Sequence, residues 1–289
     1  MTPKKNVAKS VHQRLLNARD KTGERFNNLL VKYGLERLLF RLDASGHGND
    51  FVLKGAMLFS LWVDVPGRPT RDMDLLGFGS PTHDRLRSVF SEACEASAVD
   101  DGLTFDRESI RTEDIRDDQE YLGVRIRLMA YLDRARVPLQ IDVGFGDALM
   151  PEPQLIDYPA ILDFPAPKLR AYHPATVIAE KVNAMVSLGA LNSRMKDFYD
   201  VHVILNHMSV DKELLREAIC ATFRKRKMDL PADLPACFTP EFLEDGTKEI
   251  QWRAFLRRSL LSHCGIALHQ VLDELKKRLW PIIQAEPPS

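Results

Sequence analysis

Gly67-Arg68-Pro69-Thr70-Arg71-Asp72-Met73-Asp74-Leu75-Leu76 decides how the chain reads. A turn rich in Gly, Pro and Arg runs into a short apolar strand that carries two acids. Residues two apart in a strand project from one face, so Asp72 and Asp74 point together while Met73 and Leu75 point away. Like charges side by side on a face repel. A divalent cation between them removes that penalty, because hard cations prefer oxygen ligands. A bare Asp-x-Asp is more commonly a surface strand whose acids are solvated, so the neighbouring residues must decide.

Upstream, Phe51-Val52-Leu53 reads as a strand that turns through Lys54-Gly55-Ala56 into a helical run, Met57 to Val63. Backbone N–H groups at such a helix start suit a phosphate, although an ordinary strand–helix junction has the same look. Residues 7 to about 42 read as helical, with Gly34 as a break before a second short helix, Leu35 to Leu42. Downstream come a helix from about Asp84 to Ala96 and strands at Leu103 to Arg111 and Tyr121 to Tyr131. The next strand is Val137 to Phe145. In it Leu139, Ile141, Val143 and Phe145 face one way, which leaves Asp142 as a single acid on the polar face.

Met150 to Pro174 is rich in proline and reads as an extended connector between two lobes. Beyond it the pattern is helical, at about 175–188, 194–206, 210–226, 249–262 and 266–280, with a loop at Leu230 to Pro240. The fold class is α+β: N-terminal helices and an α/β lobe over residues 1–165, then a helical lobe over 166–289.

Two helices of the second lobe carry charge where burial is expected. At about 100° per residue, Val177, Ile178, Val182, Met185, Val186 and Leu188 form an apolar arc with Glu180, Asn183 and Ser187 opposite. Lys181 falls inside the arc, from which it either snorkels to the edge or reaches a cleft. On the next helix Asp197 projects among Phe198, Val201, Ile204 and Leu205, and Asp200 lies at the edge of that face, four residues from Lys196. A Lys196–Asp200 surface pair accounts for Asp200. It does not account for Asp197, which is costly to bury without a partner. Together these charges suggest a cleft between the lobes.

Composition bounds the function classes. The chain has 289 residues, 45% hydrophobic and 28% charged, with a formal net charge of -1. A globally basic nucleic-acid binder is not indicated, though a local basic face is compatible. Four cysteines are scattered without a Cys-x-x-Cys pair, which argues against a zinc site or a disulfide framework and fits a reducing cytosol. There is no signal-peptide pattern and no run of about 18 apolar residues, so the expectation is a soluble cytoplasmic protein with no membrane partner.

With these residues in place, the chain resembles the AbiEii/AbiGii-type nucleotidyltransferase toxins, the group that includes the MenA/MenT-like toxins, within the polymerase-β-like superfamily. The resemblance rests on Lys54-Gly55-Ala56, then Arg68, Thr70, Asp72 and Asp74. It continues in Lys181 beside Glu180 and in Arg194, Lys196, Asp197 and Asp200, covering about Phe51 to Leu205. Ala56 departs from the family's second glycine. The resemblance implies a polymerase-β-like core, a mixed sheet with helices, followed by a helical C-terminal lobe. It implies a Mg2+-dependent enzyme, with Mn2+ as substitute, that uses an NTP as substrate. Asp72 and Asp74 are then metal ligands, and Asp142 is the candidate third carboxylate. Lys54, Gly55, Arg68, Thr70 and Asp197 are assigned to the nucleotide, and Lys181 and Asp200 to catalysis with the two metal-binding acids. Thr70 is also the place where an antitoxin that phosphorylates the enzyme would act, since a charge beside Asp72 repels a triphosphate.

The implied function is the toxin of a toxin–antitoxin pair that adds nucleotides to an RNA acceptor, the tRNA 3′ end, and so blocks translation and growth. Its partners are then NTP, tRNA and an antitoxin encoded nearby. Basic runs at Arg224-Lys225-Arg226-Lys227, at Arg253, Arg257 and Arg258, and at Lys276-Lys277-Arg278 could hold RNA, or could be solvated helix faces. The alternatives are a catalytically inactive nucleotide- or partner-binding protein on the same fold, and a small-molecule nucleotidyltransferase.

Overall fold

The computed structural model describes residues 6–62, 70–115, 123–244 and 246–285. Two compact units form. The first comprises residues 1–146 and 154–171, the second 147–153 and 172–289.

The first unit begins with helices α1 (Val7–Thr22) and α2 (Phe26–Ala44). Strand β1 (Phe51–Lys54), a 3-10 turn (Gly55–Leu58), one turn of helix, α3 (Phe59–Trp62), and strand β2 (Met73–Gly77) follow. Helix α4 (His83–Glu95) leads to a meander of β3 (Leu103–Ile115), β4 (Gly123–Leu132) and β5 (Ala135–Phe145). Two short strands, β6 (Gln154–Asp157) and β7 (Lys168–Ala171), finish the unit. Among the described residues the seven strands make one sheet, ordered β3-β4-β5-β2-β1-β7-β6. It is mixed: β2–β5 and β1–β7 pair parallel, and the remaining neighbours pair antiparallel.

Alternation along the strands gives the sheet two unlike faces. Leu53, Leu75, Ile141 and Val143 are buried on one face, where the Phe51 and Phe90 rings of β1 and α4 meet 6.0 Å apart. Helix α2 covers the same face and runs straight through Gly34, contrary to the expected break. A β-carbon at residue 34 would stand 2.9 Å from Leu139 Cδ2, so the glycine lets the helix lie close on β5. Close packing overrides the local cost of a glycine in a helix.

The expected extended connector is also corrected. Within Met150 to Pro174, β7 pairs in parallel with β1 and antiparallel with β6, and Tyr158 N–H donates to Pro167 O at 2.8 Å. A buried charge cluster anchors this stretch. Glu36 Oε2 accepts from Ile161 N–H at 2.8 Å, and Arg37 Nη1 donates to Pro165 O at 2.8 Å. Arg37 and Arg41 both donate to the Asp101 carboxylate, at 2.6 to 3.0 Å, so the charges on α2 are paired inside rather than solvated.

The second unit is helical: α5 (Pro174–Leu188), α6 (Met195–His207), α7 (Lys212–Lys225), α8 (Pro240–Glu244), α9 (Gly246–Arg258) and α10 (Leu268–Gln284). Pro174 sits in the first turn of α5, where its missing N–H costs nothing, and the His173 side chain caps Ala175 N–H at 3.1 Å. Asn183, expected on the solvent side of α5, is buried and donates to Met228 Sδ at 3.4 Å. Trp252 is fully buried, with Nε1 donating to Ile266 O at 2.8 Å. Among the described residues no helix is long and apolar enough to cross a membrane.

Candidate active site

The polar face of the sheet carries a row of charges set by strand register. Lys54 pairs with Asp74 across β1–β2, Asp74 with Asp142 across β2–β5, and Asp142 with Arg125 across β5–β4. Register partners project from the same face, so the row reads plus, minus, minus, plus. The next strand adds Glu113, opposite Arg125 on β3.

Asp74 and Asp142 are direct neighbours on parallel strands, about 4.8 Å apart along the hydrogen-bonding direction. Arg125 offsets part of their repulsion. Arg125 Nε and Nη2 each donate to one oxygen of Asp142 at 2.8 Å, a two-pronged ion pair that is half-buried. These bonds hold the Arg125 pKa above its ordinary value, with Asp72 among the charges that add to the effect. Gln140 Nε2 lies 3.4 Å from Asp142 Oδ2.

Asp74 stands against the Gly55 turn. Gly55 has a φ of 72°, and a β-carbon there would fall 1.9 Å from Asp74 Oδ2. The helical run expected from Met57 to Val63 is a 3-10 segment followed by α3 in the described residues, and Val63 lies outside them. Lys54 Nζ comes within 3.5 Å of where a β-carbon of residue 144 would stand. The ammonium thus passes over β2 toward β5.

Asp72 lies one residue before β2 and is half-buried; Thr70 is 4% exposed. Arg68 and the first part of the opening stretch lie outside the described residues. A pocket of about 470 Å³ lies between Asn27, Asn28 and Val31 of α2 and Arg71, Arg127, Leu139 and Gln140, and none of the three acids lines it.

In the second unit the inward charges find one another. Lys181 Nζ donates to Asp197 Oδ1 and to Asp200 Oδ2, both at 2.8 Å. Both aspartates are 1% exposed. Arg194 Nε lies 2.8 Å from Asp197 Oδ2, so two cations balance two anions. Burial by itself would lower the Lys181 pKa; the two carboxylates outweigh it and hold it raised. Burial likewise pushes Asp197 up, and the charges of Lys181 and Arg194 bring it below its ordinary value. Asp200 pairs with Lys181 and not with the surface residue Lys196.

Asp72 and Asp74 offer carboxylate oxygens, the donor type that a hard divalent cation takes. Magnesium commonly uses one or two carboxylates and completes its shell with water and substrate phosphates, which fits this pair. Asp142 brings a third carboxylate into register, but both of its oxygens are on Arg125. Among the described residues no three His, Cys, Asp or Glu side chains group closely enough to hold a metal by themselves. Arg125 was not among the residues singled out from sequence.

The fold has a likeness among solved structures. A protein from H. pylori whose crystal structure is assigned to that class is 15% identical, with a TM-score of 0.51 over 87% of this chain and 92% of its own. A second structure, JHP933 from Helicobacter pylori, is 15% identical, covers 86% of this chain and 97% of its own, and has a TM-score of 0.43. At the first level of likeness the common property is the fold, a mixed sheet of the nucleotidyltransferase type followed by helices. Residues 37–264 match the family model of the nucleotidyl transferase AbiEii toxin of type IV toxin–antitoxin systems, and the chain belongs to that family. No curated protein matches it.

Proposed function

We propose that this protein is a magnesium-dependent nucleotidyltransferase that moves a nucleotide from an NTP to the 3′ end of an RNA, with tRNA as the acceptor. The outcome in the cell is arrest of translation, relieved by an antitoxin encoded nearby, and the site of action is the cytoplasm. The observation that carries this reading is the placement of Asp74 and its Gly55 turn in the charged row, with Asp72 at the strand entrance. This arrangement puts two acids on the polar face, in a row with Lys54 and Arg125, while helices cover the other face.

Asp72 and Asp74 would hold the metal. When bound, magnesium supplies neutralisation of phosphate charge and alignment of the triphosphate. The chain's own groups do the rest. The Gly55 backbone, Lys54, Arg68 and Thr70 bind phosphate oxygens. Lys181, held by Asp197 and Asp200, is the candidate catalytic lysine. The acceptor 3′-hydroxyl oxygen bonds to the α-phosphorus, the bond to the β-phosphate oxygen breaks, and pyrophosphate leaves with that electron pair. The hydroxyl proton passes to solvent.

The test is incubation of the purified protein with labelled nucleoside triphosphates, magnesium and total tRNA. Label is expected in tRNA, with Asp72→Ala lowering it by about 100-fold or more. Absence of transfer, or equal transfer by Asp72→Ala, overturns the proposal. Transfer to a small hydroxylated acceptor without RNA replaces the acceptor class.

A further inference from the structure

The pair Arg125–Asp142 stands in the middle of the charged row, yet a third metal-binding acid would need Asp142 to be available. We propose that Asp142 is a positioning residue: it fixes the Arg125 guanidinium on the polar face of the sheet as a permanent cation that binds the phosphates of the nucleotide. This inference rests on the nucleotidyltransferase reading and reassigns one residue within it.

Three observations carry it. The first is geometry. Both oxygens of Asp142 accept from Arg125 at 2.8 Å, through Nε and Nη2, in the parallel two-bond arrangement that makes guanidinium–carboxylate pairs directional. Arg125 keeps Nη1 without a hydrogen-bond partner among the described residues, and its side chain is 30% exposed. A fork held at one edge thus presents its other N–H groups to the polar face. Planar guanidinium N–H pairs match phosphate oxygens well.

The second is register. The β4–β5 hairpin turns at residues 133 and 134, where Asp133 adopts a φ of 53°, and this turn pairs Leu132 with Ala135 and therefore Arg125 with Asp142. A one-residue slip would put every apolar residue of β5 on the wrong face, so the buried side of the hairpin locks the pair in place.

The third is charge. In the row set by register, Asp142 is the acid beside Arg125, and its two hydrogen bonds keep the guanidinium on the polar face that also carries Asp74. The pair lies on the partly exposed polar face, while Val124, Ile126, Ile141 and Val143 form the core beneath.

The test separates metal binding from nucleotide binding. Mn2+ affinity is measured by electron paramagnetic resonance with no nucleotide present. Affinity for a non-hydrolysable ATP analogue is measured by titration at saturating Mn2+. The proteins are the wild type, Asp72→Ala, Asp142→Asn, Asp142→Ala, Arg125→Ala, Arg125→Lys and the Arg125→Ala/Asp142→Ala double variant. Asp72→Ala loses Mn2+, whereas the Asp142 and Arg125 variants keep Mn2+ affinity within about twofold. Arg125→Ala weakens the analogue about tenfold or more. Asp142→Ala weakens it comparably, the double variant is no worse than Arg125→Ala, and Arg125→Lys does not restore it because lysine has no fork. Circular dichroism confirms folding, with Asp142→Asn as the milder variant.

Loss of Mn2+ in Asp142→Asn equal to that in Asp72→Ala makes Asp142 a ligand and overturns the proposal. Unchanged analogue affinity in Arg125→Ala, or additive losses in the double variant, overturns it as well. Retention of Mn2+ by Asp72→Ala would instead count against the metal assignment of the proposed function, which the Arg125 and Asp142 comparisons do not share.

Discussion

The carboxylate of Asp74 occupies the space a side chain on residue 55 would need: a β-carbon on Gly55 would stand 1.9 Å from Asp74 Oδ2. The glycine therefore serves the acid directly, and its left-handed backbone adds a second demand that other residues meet at a cost of about 1–2 kcal/mol.

Gly55→Ala should therefore separate function from folding. Stability falls by about 1–2 kcal/mol. Mn2+ affinity and nucleotide transfer fall by about tenfold or more, because the Asp74 carboxylate must move. Urea unfolding and the Mn2+ resonance measurement check the two halves; unchanged Mn2+ binding would show that Asp74 does not hold the metal from this position.

The Lys181–Asp197 pair predicts a specific pH response. Asp197 has its folded pKa below the unfolded value, so its contribution is present above about pH 4 and is lost as pH falls through the folded value. Lys181 has its folded pKa raised, so its contribution is full below about pH 10 and is lost as pH rises through the folded value. Asp197→Asn should cost about 3 kcal/mol, the low end for breaking a buried pair because Asp200 still holds Lys181. The variant should also lose less stability than wild type on acidification below about pH 4. Urea midpoints across pH decide; parallel acid limbs would refute the linkage.

Asp101 has both oxygens on arginines of α2. Asp101→Ala leaves Arg41 buried without a carboxylate and Arg37 with Glu36 alone, and should cost about 3 kcal/mol. The site residues are untouched, so Mn2+ binding at low temperature should be retained. Thermal unfolding with and without Mn2+ measures both, and a Tm equal to wild type would remove the cluster from the stability account.

Thr70 is nearly inaccessible, so its hydroxyl faces inward rather than toward a modifying enzyme. Thr70→Val removes the hydroxyl with little change of shape and should lower transfer about tenfold if that group binds a phosphate oxygen. Thermal stability serves as the control. If transfer is undiminished, Thr70 is excluded from the nucleotide site, and a kinase acting there would have to draw the segment outward first.

Much of the site was legible because it follows strand and helix periods. Asp74 and Asp142 share the polar face that alternation assigns, and Lys181 and Asp197 point inward as the helical period requires. Arg125 escaped notice because its role depends on the register between two strands, which neither strand shows alone. The signal was present in the turn at Asp133-Arg134: once that turn is located, residue numbers in β4 and β5 pair by a constant sum and Arg125 falls opposite Asp142. Gly34 and the prolines of Met150 to Pro174 misled for another reason. Local propensity named a break and an extended link, whereas α2 needed the glycine to lie on Leu139 and β7 found a partner in β1, distant in sequence. The pairing of Arg37 and Arg41 could not be read because Asp101, their counter-ion, comes from a separate stretch of chain.

The chain passes between its two units three times, after residues 146, 153 and 171. The short loan to the second unit is fastened there: Asp147 accepts from Tyr172 at 3.0 Å, and Thr176 Oγ1 donates to Met150 O at 2.7 Å. No single cleavage yields either unit whole. A fragment that stops at residue 171 carries a segment deprived of its home, and one that starts at 172 lacks it. Recombination at one crossover is equally unable to transplant the helical unit, so the two parts are inherited, lost or engineered as a single piece.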